Sequence, residues 1–241
     1  QHATLKQFPD TVKWVSEMTA LKPILQSSKT ISFSNELLDA MPVHRLGWDA
    51  KAKRWFEWGV TLDRQRFVWF RMENAEIHVS HFTFKPDLLD VLPDGYTLEI
   101  SPAAEQWWRA AADVLAHGKL LAIDYGLTAE EQFSPSRPHG TVRAYHRHQV
   151  ADDVLANPGE QDLTAHVNFS AIQKAGEAAG LQTESFSTQP QFLTRAVEKI
   201  FKNPAAFGQW SAKQTRQFQT LTHPEHLSRA FRVLVQSRNA P

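Results

Sequence analysis

A short run of apolar residues limits the possible folds of this chain more than any other feature. Residues 120–123 read Leu-Leu-Ala-Ile, without a polar interruption. Such a run is typical of a strand buried on both faces, as in a parallel sheet covered by helices. A helix is predicted just before it, with Ser101 as N-cap, Pro102 at the first helical position, and Gly118 as the left-handed residue at its end. The order of helix, glycine and buried strand, followed by Asp124-Tyr125-Gly126, predicts an α/β unit.

The C-terminal part of the sequence contains a second unit of the same kind. Ser170 fits the first position of a capping box, and Gly180 is expected to close the helix that it opens. Residues 181–187 then read as a strand, and Pro190 opens another helix. Residues 231–236 are apolar and β-branched, which predicts a late strand.

Between residues 30 and 72 the pattern is that of strands. Residues 30–34 alternate between polar and apolar side chains and predict a strand, which leads into one or two helical turns at 35–41. Three aromatic and β-branched runs follow, at 43–48, 54–61 and 67–72, and they predict an antiparallel meander. We therefore expect one domain over residues 1–241, with a meander inserted at 43–72.

Charge and composition exclude several classes of function. The 26 basic and 26 acidic residues give a net charge of +0, so no general attraction to nucleic acid is expected. The absence of cysteine excludes disulfides and cysteine-based metal or redox chemistry. No apolar run has the length of a membrane span, and there is neither a GxGxxG loop nor a P-loop. The 11 histidines match no standard zinc spacing, so no metal site is expected.

Three acidic residues are candidates for a functional site because each follows a predicted strand. Glu36 and Asp39 are three residues apart, which places both on one face of the predicted helical turn. Asp124 follows the apolar run directly. Ligands of open α/β sheets bind beyond the carboxyl ends of strands, and paired carboxylates there could bind a guanidinium. On spacing alone, solvated acids at a helix start are the commoner arrangement, and Asp is common where a strand exits.

Several segments, in the correct order, resemble the MidA-type methyltransferases. The most specific is PGEQDLTAHVNF at residues 158–169, which is similar to the family's PG-x-x-DLTAHVDF stretch. Asn168 stands where the family usually has Asp, which puts a role for that carboxylate in doubt, and Ser34 stands where a small apolar residue is usual. The other matching segments are at 35–44, 99–104, 118–126, 143–148, 189–193 and 231–234.

The resemblance implies a class I methyltransferase-like (Rossmann-like) α/β fold and an S-adenosyl-L-methionine-dependent activity, most specifically on protein arginine. Its implied protein substrate includes a respiratory-complex subunit as one candidate. Its implied location is the cytoplasm in a bacterium and the mitochondrial matrix in a eukaryote. By position, Asn35 and Glu36 would contact the cofactor. The implied catalytic residues are Glu36, Asp39, Asp124 and His166. Tyr125, His148 and Asp162 are second-line candidates for the substrate site. For His166, a structural role is commoner than a catalytic one.

The family's glycine-rich loop and ribose-binding acid have no counterpart in these residues. Residues 1–8 resemble the helix that follows that acid, and residues 12–15 resemble the family's third strand. We therefore expect a sheet that is incomplete at its N-terminus, a partial cofactor site, and an exposed sheet edge through which copies of the chain self-associate.

Two other functions remain open at this point. The first is a non-catalytic assembly or interaction module with a degenerate methyltransferase fold, whose partner would bind the aromatic meander between Trp48 and Phe70. The second is a hydrolase that uses Asp124 and His166. The second is weak because the sequence contains no G-x-S-x-G nucleophile elbow.

Overall fold

The computed structural model describes most of the chain and shows a mixed α/β fold. The described residues are 5, 11–26, 28–72, 89–134, 136–147, 149–223 and 230–239. Apart from residue 5, the predicted helix at residues 1–8 lies outside them.

The strands and helices follow one another through the whole described chain. In chain order the strands are β1 (Thr30–Asn35), β2 (His44–Asp49), β3 (Arg54–Asp63), β4 (Arg66–Met72), β5 (Thr97–Ile100), β6 (Gly118–Leu127), β7 (Arg143–His146), β8 (Gln149–Ala151), β9 (Asp162–Thr164), β10 (Val167–Asn168), β11 (Gln182–Thr188) and β12 (Phe231–Arg238). The helices are α1 (Lys22–Leu25), α2 (Pro102–Val114), α3 (Ala129–Gln132), α4 (Phe169–Ala178), α5 (Gln189–Lys202), α6 (Pro204–Phe207) and α7 (Ala212–Thr222), with a 3-10 helix at Met18–Leu21.

The main sheet contains the strands predicted around residues 30–34, 120–123, 181–187 and 231–236. Its order is β1-β6-β12-β11, with the short β10 paired to the end of β6. β1 and β10 run parallel to β6, whereas β12 is antiparallel to both β6 and β11. β6 therefore has a neighbour on each side. Burial on both faces, which the apolar run predicted, is only partial: Leu120 and Ala122 are buried, whereas Leu121 and Ile123 on the other face are half-buried.

The predicted meander is confirmed and lies outside the main sheet. β2, β3 and β4 are antiparallel neighbours, and β5 pairs with β2 to give the order β4-β3-β2-β5. The sequence interpretation did not include β5 in this sheet. A third, smaller sheet has the order β8-β7-β9.

The core lies between the main sheet and the helices α2 and α4. Trp108 and Phe169 are its largest fully buried side chains. The indole Nε1 of Trp108 donates to Oε1 of Gln236 at 2.7 Å, and the Gln236 amide donates to the Gln173 carbonyl at 2.9 Å. These bonds satisfy polar groups that would otherwise be buried at a cost.

The prediction for Gly118 was wrong. Helix α2 ends at Val114, with Leu115 as its C-cap, and Gly118 is the first residue of β6. Its φ is 134°, and a Cβ at this position would lie 1.9 Å from the carbonyl oxygen of Thr30. A glycine is needed here because β1 passes close to the backbone, not because a helix ends.

The predicted cap of helix α4 was wrong by two residues. Asn168 is the N-cap, and its side chain accepts from the backbone N–H of Ala171 at 3.1 Å. The Ser170 hydroxyl instead accepts from the N–H of Ala129 at 3.0 Å. The Asn168 amide also donates to Gln132 Oε1 at 2.9 Å, so this position caps a helix without a charge. Gly180 closes the helix as predicted, with a φ of 85°.

Residues 12–15 do not form the predicted third strand. They have no strand neighbour among the described residues, and Trp14 and Val15 are exposed. Without a partner to pair with its backbone, an extended segment has no reason to become a strand. Across the described part of the chain, every helix is too short or too polar to cross a membrane.

Candidate functional site

The segment after β1 is a tight turn and not the predicted helix. The pairing of β1 with β6 ends at Asn35 and Ile123, and the N–H of Glu36 donates to the Ile123 carbonyl at 3.0 Å. Glu36 has a left-handed φ of 48°, which no helical turn allows. The chain then closes a turn in which the N–H of Met41 donates to the Leu38 carbonyl. The argument that a helix places two acids on one face therefore does not hold.

Asp124 explains why this turn forms. Its side chain is fully buried, and its Oδ2 accepts from the N–H groups of Leu37 at 3.1 Å and Leu38 at 2.9 Å. Its Oδ1 accepts from the N–H of Tyr125 at 2.8 Å. A side chain from β6, the neighbour of β1 in the sheet, accepts from the N–H groups of Leu37 and Leu38, so these groups do not start a helix.

The position of Asp124 also differs from the sequence interpretation. We predicted that it follows the strand, but β6 continues to Leu127. Asp124 lies opposite Arg232 of β12, one residue beyond the last residue of β6 that pairs with β1. The carboxylate therefore points into the gap that opens where β1 leaves β6.

Asp39 and Asp124 form a buried carboxyl pair. Asp39 is 5% exposed, and its carboxyl group lies close to that of Asp124. Burial and the charge of Asp39 raise the pKa of Asp124 from its usual value of 3.8 to about 7. Burial and the charge of Glu36 also raise the pKa of Asp39. Two adjacent buried carboxyls oppose each other's ionisation, so each holds its proton to a higher pH than an isolated carboxyl.

Glu36 and Asn35 lie at the rim of this pair. Both side chains are exposed, and the Asn35 amide donates to Glu36 Oε1 at 3.2 Å. Burial, the charge of Glu36 and the nearby Tyr145 raise the pKa of the Tyr125 hydroxyl. The structure thus brings Glu36, Asp39 and Asp124 to one edge of the main sheet. Their roles stay a prediction.

A cleft of about 430 Å³ extends from Asp39 towards the meander sheet. Trp58 and Trp69 line one wall, and Leu155 and Leu163 line the other. Its further lining includes Met41, Pro42, Val43, Arg45, Glu57, Val60, Val142, Val154, Thr164 and Ala165. The sequence interpretation missed the cleft because it arises where distant segments meet, and no local pattern marks it.

His166 does not join the acidic group. Its backbone N–H donates to Thr141 Oγ1 at 3.0 Å. Burial and the charges of Arg143, Arg137 and Arg232 lower the pKa of its side chain from 6.5 to about 4. Among the described residues no hydrogen bond or ion pair links it to Asp124, so the hydrolase alternative lacks its catalytic pair.

The remaining second-line candidates are not part of this site as the structure describes it. His148 lies outside the described residues. Asp162 is exposed on β9, where its backbone pairs with that of Tyr145. The described residues contain no cluster of three or more His, Asp or Glu side chains that could bind a metal ion.

Asp124 and His166 should affect stability in opposite directions as the pH changes. Because the pKa of Asp124 is raised on folding, its contribution to stability is complete below about pH 4 and is lost as the pH rises to about 7. Because the pKa of His166 is lowered on folding, its contribution is complete above pH 6.5 and is lost as the pH falls to about 4. Relative to wild type, His166→Gln should therefore lose about 1 kcal/mol of stability per pH unit as pH rises through this window. Asp39→Asn should gain stability over the same window, because it removes the raised pKa of Asp39 and the part of the Asp124 shift that the charge of Asp39 causes. Urea unfolding at pH 4.5 to 6.5 measures both slopes, and slopes of the same sign would contradict the assignment.

Comparison with known proteins supports the fold. The chain is 30% identical over 146 residues to "Protein arginine methyltransferase NDUFAF7 homolog, mitochondrial" of Caenorhabditis elegans, a match that covers 59% of this chain and 32% of that protein. A crystal structure of a "likely methyl transferase" from Burkholderia thailandensis, bound to S-adenosyl-homocysteine, matches all of this chain with a TM-score of 0.79 and 28% identity. An uncharacterized protein from the same organism also matches all of it, with a TM-score of 0.79 and 29% identity.

The chain is shorter than these relatives. It spans 60% and 63% of the two solved structures and 32% of the curated relative. The family model described as "Putative S-adenosyl-L-methionine-dependent methyltransferase" matches residues 1–187, which is well over half of the chain. The chain therefore belongs to this family of S-adenosyl-L-methionine-dependent methyltransferases, in agreement with its resemblance to the MidA type.

Proposed function

We propose that this chain forms the substrate-facing part of a protein-arginine methyltransferase that uses S-adenosyl-L-methionine. The observation that carries the proposal is the buried carboxyl pair of Asp39 and Asp124, of which Asp39 lines the end of the cleft. The curated relative from Caenorhabditis elegans is named as a protein arginine methyltransferase, which supports the same substrate class.

The walls of the cleft suit an arginine side chain. A guanidinium is planar, stacks on aromatic rings and donates paired hydrogen bonds to carboxylates. Trp58 and Trp69 supply the rings, and Glu57 and Asp39 supply the carboxylates. The protein's own Arg45 already lies over the Trp69 ring, 4.7 Å from its centroid, so this wall accepts a guanidinium.

The acid pair suits the chemistry of methyl transfer to nitrogen. S-adenosyl-L-methionine supplies the methyl group when it is bound. A carbon–nitrogen bond then forms, a carbon–sulfur bond breaks, and the nitrogen gives up a proton. We propose that the Asp39–Asp124 pair orients the guanidinium and accepts that proton, because a base with a pKa near the working pH is the most effective one.

Asn35 and Glu36 fit one wall of a cofactor site. Their exposed amide and carboxylate lie at the carboxyl end of β1, where α/β sheets bind ligands. In the described residues β1 has a neighbour on one side only, and Ile31 and Phe33 on this strand are 74% and 59% exposed. We propose that residues beyond these 241 pair with β1 and complete the site. Without them, the same edge would promote self-association.

The cellular location and the substrate class of this chain are proposed from its relatives. The curated relative is mitochondrial, so we propose the mitochondrial matrix if the source is a eukaryote and the cytoplasm if it is a bacterium. The resemblance to the MidA type makes a respiratory-complex subunit one candidate substrate. A non-catalytic assembly role is the competing function, and it predicts that no methyl group is transferred at all.

The test of the proposed function follows a labelled methyl group. The whole gene product that contains this chain should transfer tritiated methyl from S-adenosyl-L-methionine to arginine in proteins of cells that lack the gene. Mass spectrometry of the labelled peptides identifies the modified residue. Label on another residue type would contradict arginine as the substrate, and no label in any protein would contradict the methyltransferase function.

The 241-residue chain alone should bind the cofactor weakly. With one wall of the site it can contact only one side of the ligand, so we expect a Kd above about 1 mM. Calorimetric titration with S-adenosyl-L-methionine measures this directly, with the whole gene product as the control. Tight, stoichiometric binding by the chain alone would show that its cofactor site is complete.

A further inference from the structure

A second polar pocket lies on the far side of the segment that borders the candidate site. Ala165 lines the cleft, and its N–H donates to the Asp39 carbonyl at 2.9 Å. The next residue, His166, lines a separate pocket of about 190 Å³ together with Arg137, His139 and Arg143. The two cavities therefore share one wall but differ in charge.

The wall of this pocket is fixed by buried contacts before any ligand arrives. Both the N–H and the hydroxyl of Thr141 donate to Glu99 Oε2, at 2.8 and 3.0 Å. Gly140 has a φ of 78°, and a Cβ there would lie 2.1 Å from Glu99 Oε1. Arg45 donates to the His139 carbonyl at 2.6 Å and forms an ion pair with Glu99. A wall fixed in this way loses little entropy when it binds a ligand.

The pocket contains positive charge without a matching acid. In the part of the chain that the structure describes, neither Arg137 nor Arg143 forms an ion pair with a carboxylate. Within the described ranges, the Arg137 side chain donates to the backbone carbonyl of Glu131, at 3.0 Å. The nearby Arg232 is different, because the Glu131 carboxylate accepts from it at 2.9 Å. Two guanidinium groups thus remain without a counter-charge at one pocket.

His166 adds an unsatisfied polar atom to the same pocket. Its Nδ1 is buried and has no hydrogen-bond partner among the described residues. Buried polar side-chain atoms nearly always have a partner, so an unpaired one requires an explanation. A bound oxyanion would supply the partner if the imidazole ring turns Nδ1 towards the pocket that His166 lines.

We propose that the pocket formed by Arg137, His139, Arg143 and His166 binds an oxyanion, and that this oxyanion is a carboxylate of the bound protein substrate. Guanidinium groups bind carboxylates with paired, charge-assisted hydrogen bonds. The assignment to the substrate rests on the proposed function, because Ala165 lines the cleft and the next residue, His166, lines the pocket, so the two sites are adjacent. An acidic residue close to the target arginine would then be selected.

Titration with inorganic phosphate tests whether the pocket binds oxyanions. The amide resonances of Gly140, Thr141 and His166 in the 241-residue chain should shift with a saturable dependence, and sodium chloride at equal ionic strength should not reproduce the shift. The double variant with Arg137→Gln and Arg143→Gln should weaken binding about tenfold or more. Arg143 is exposed, so Arg143→Gln alone should leave the fold intact and still weaken binding.

Control and peptide arms separate the outcomes. Arg216→Gln, an exposed position on α7, should bind phosphate like wild type. A short capped glutamate peptide should saturate at lower concentration than phosphate, and a glutamine peptide should not bind. Tighter binding of phosphate than of the glutamate peptide would overturn the assignment to a protein carboxylate. No saturable shift with either would overturn the pocket itself. Neither titration depends on methyl transfer. A failure of the oxyanion proposal is therefore distinguishable from a failure of the proposed function.

Discussion

Gly118→Ala should lower the free energy of unfolding by about 3 kcal/mol or more. A Cβ at this position would lie 1.9 Å from the carbonyl oxygen of Thr30 and 2.7 Å from its backbone nitrogen. Backbone atoms cannot move aside as a flexible side chain can, so β1 and β6 would have to separate. The φ of 134° adds strain for any residue with a side chain. Urea unfolding followed by circular dichroism measures the loss.

Gly95→Ala is the matched control for this experiment. Gly95 also has a positive φ, 74°, but a Cβ there would have no atom within 4 Å. This variant should lose only about 1 kcal/mol, which is the cost of the backbone conformation. The difference between the two variants isolates the close approach of β1 to β6. Equal losses would show that the contact with Thr30 is not what requires a glycine.

If the proposed function is correct, Asp39→Asn should lower the rate of arginine methylation by the whole gene product about 10²- to 10⁴-fold. The change keeps the size of the side chain but removes its charge and its ability to accept the proton. The loss should appear in kcat and should persist as the pH is raised, because the amide cannot ionise. A methyl-transfer assay with the labelled cofactor measures it, after the substrate peptide has been identified.

The controls for this prediction separate chemistry from folding. Asp63→Asn, at the end of β3, changes an acid that lies outside the cleft, and its activity should equal that of wild type. Asp124→Asn is a poorer test, because three backbone N–H groups depend on that carboxylate. Full activity in a folded Asp39→Asn protein would exclude the acid pair from the reaction.

Local patterns in the sequence predicted the fold well where the cause of a structure is itself local. The apolar run at 120–123 became the central strand, and Ser101 caps helix α2 as predicted, accepting from the N–H of Ala104 at 3.2 Å. Gly118 was misjudged because the atom that requires a glycine belongs to Thr30, which is distant in sequence. A positive φ can end a helix or allow a close approach, and the sequence alone does not distinguish the two.

The candidate site was predicted only in outline for the same reason. The acids Glu36, Asp39 and Asp124 do lie together, because β1 and β6 are parallel neighbours. The helical turn predicted at 35–41 does not form, because the N–H groups of Leu37 and Leu38 bind a carboxylate from another strand. That competition between local and tertiary hydrogen bonds is invisible to a pattern of residue types.

The bonds from Asp124 to Leu37 and Leu38 also limit how such a site can evolve. The residue proposed to help move a proton is the same one that fastens the turn carrying Asp39. A substitution that changes its acidity therefore also changes the shape of the turn. Most such variants should misfold and be lost from the soluble fraction, whatever their catalytic activity. In a random library selected only for solubility, with no methylation assay, position 124 should already be nearly invariant. Position 36 is exposed, and its side chain bonds only to Asn35 among the described residues, so it should vary more widely than position 124, among residues that tolerate its left-handed φ of 48°.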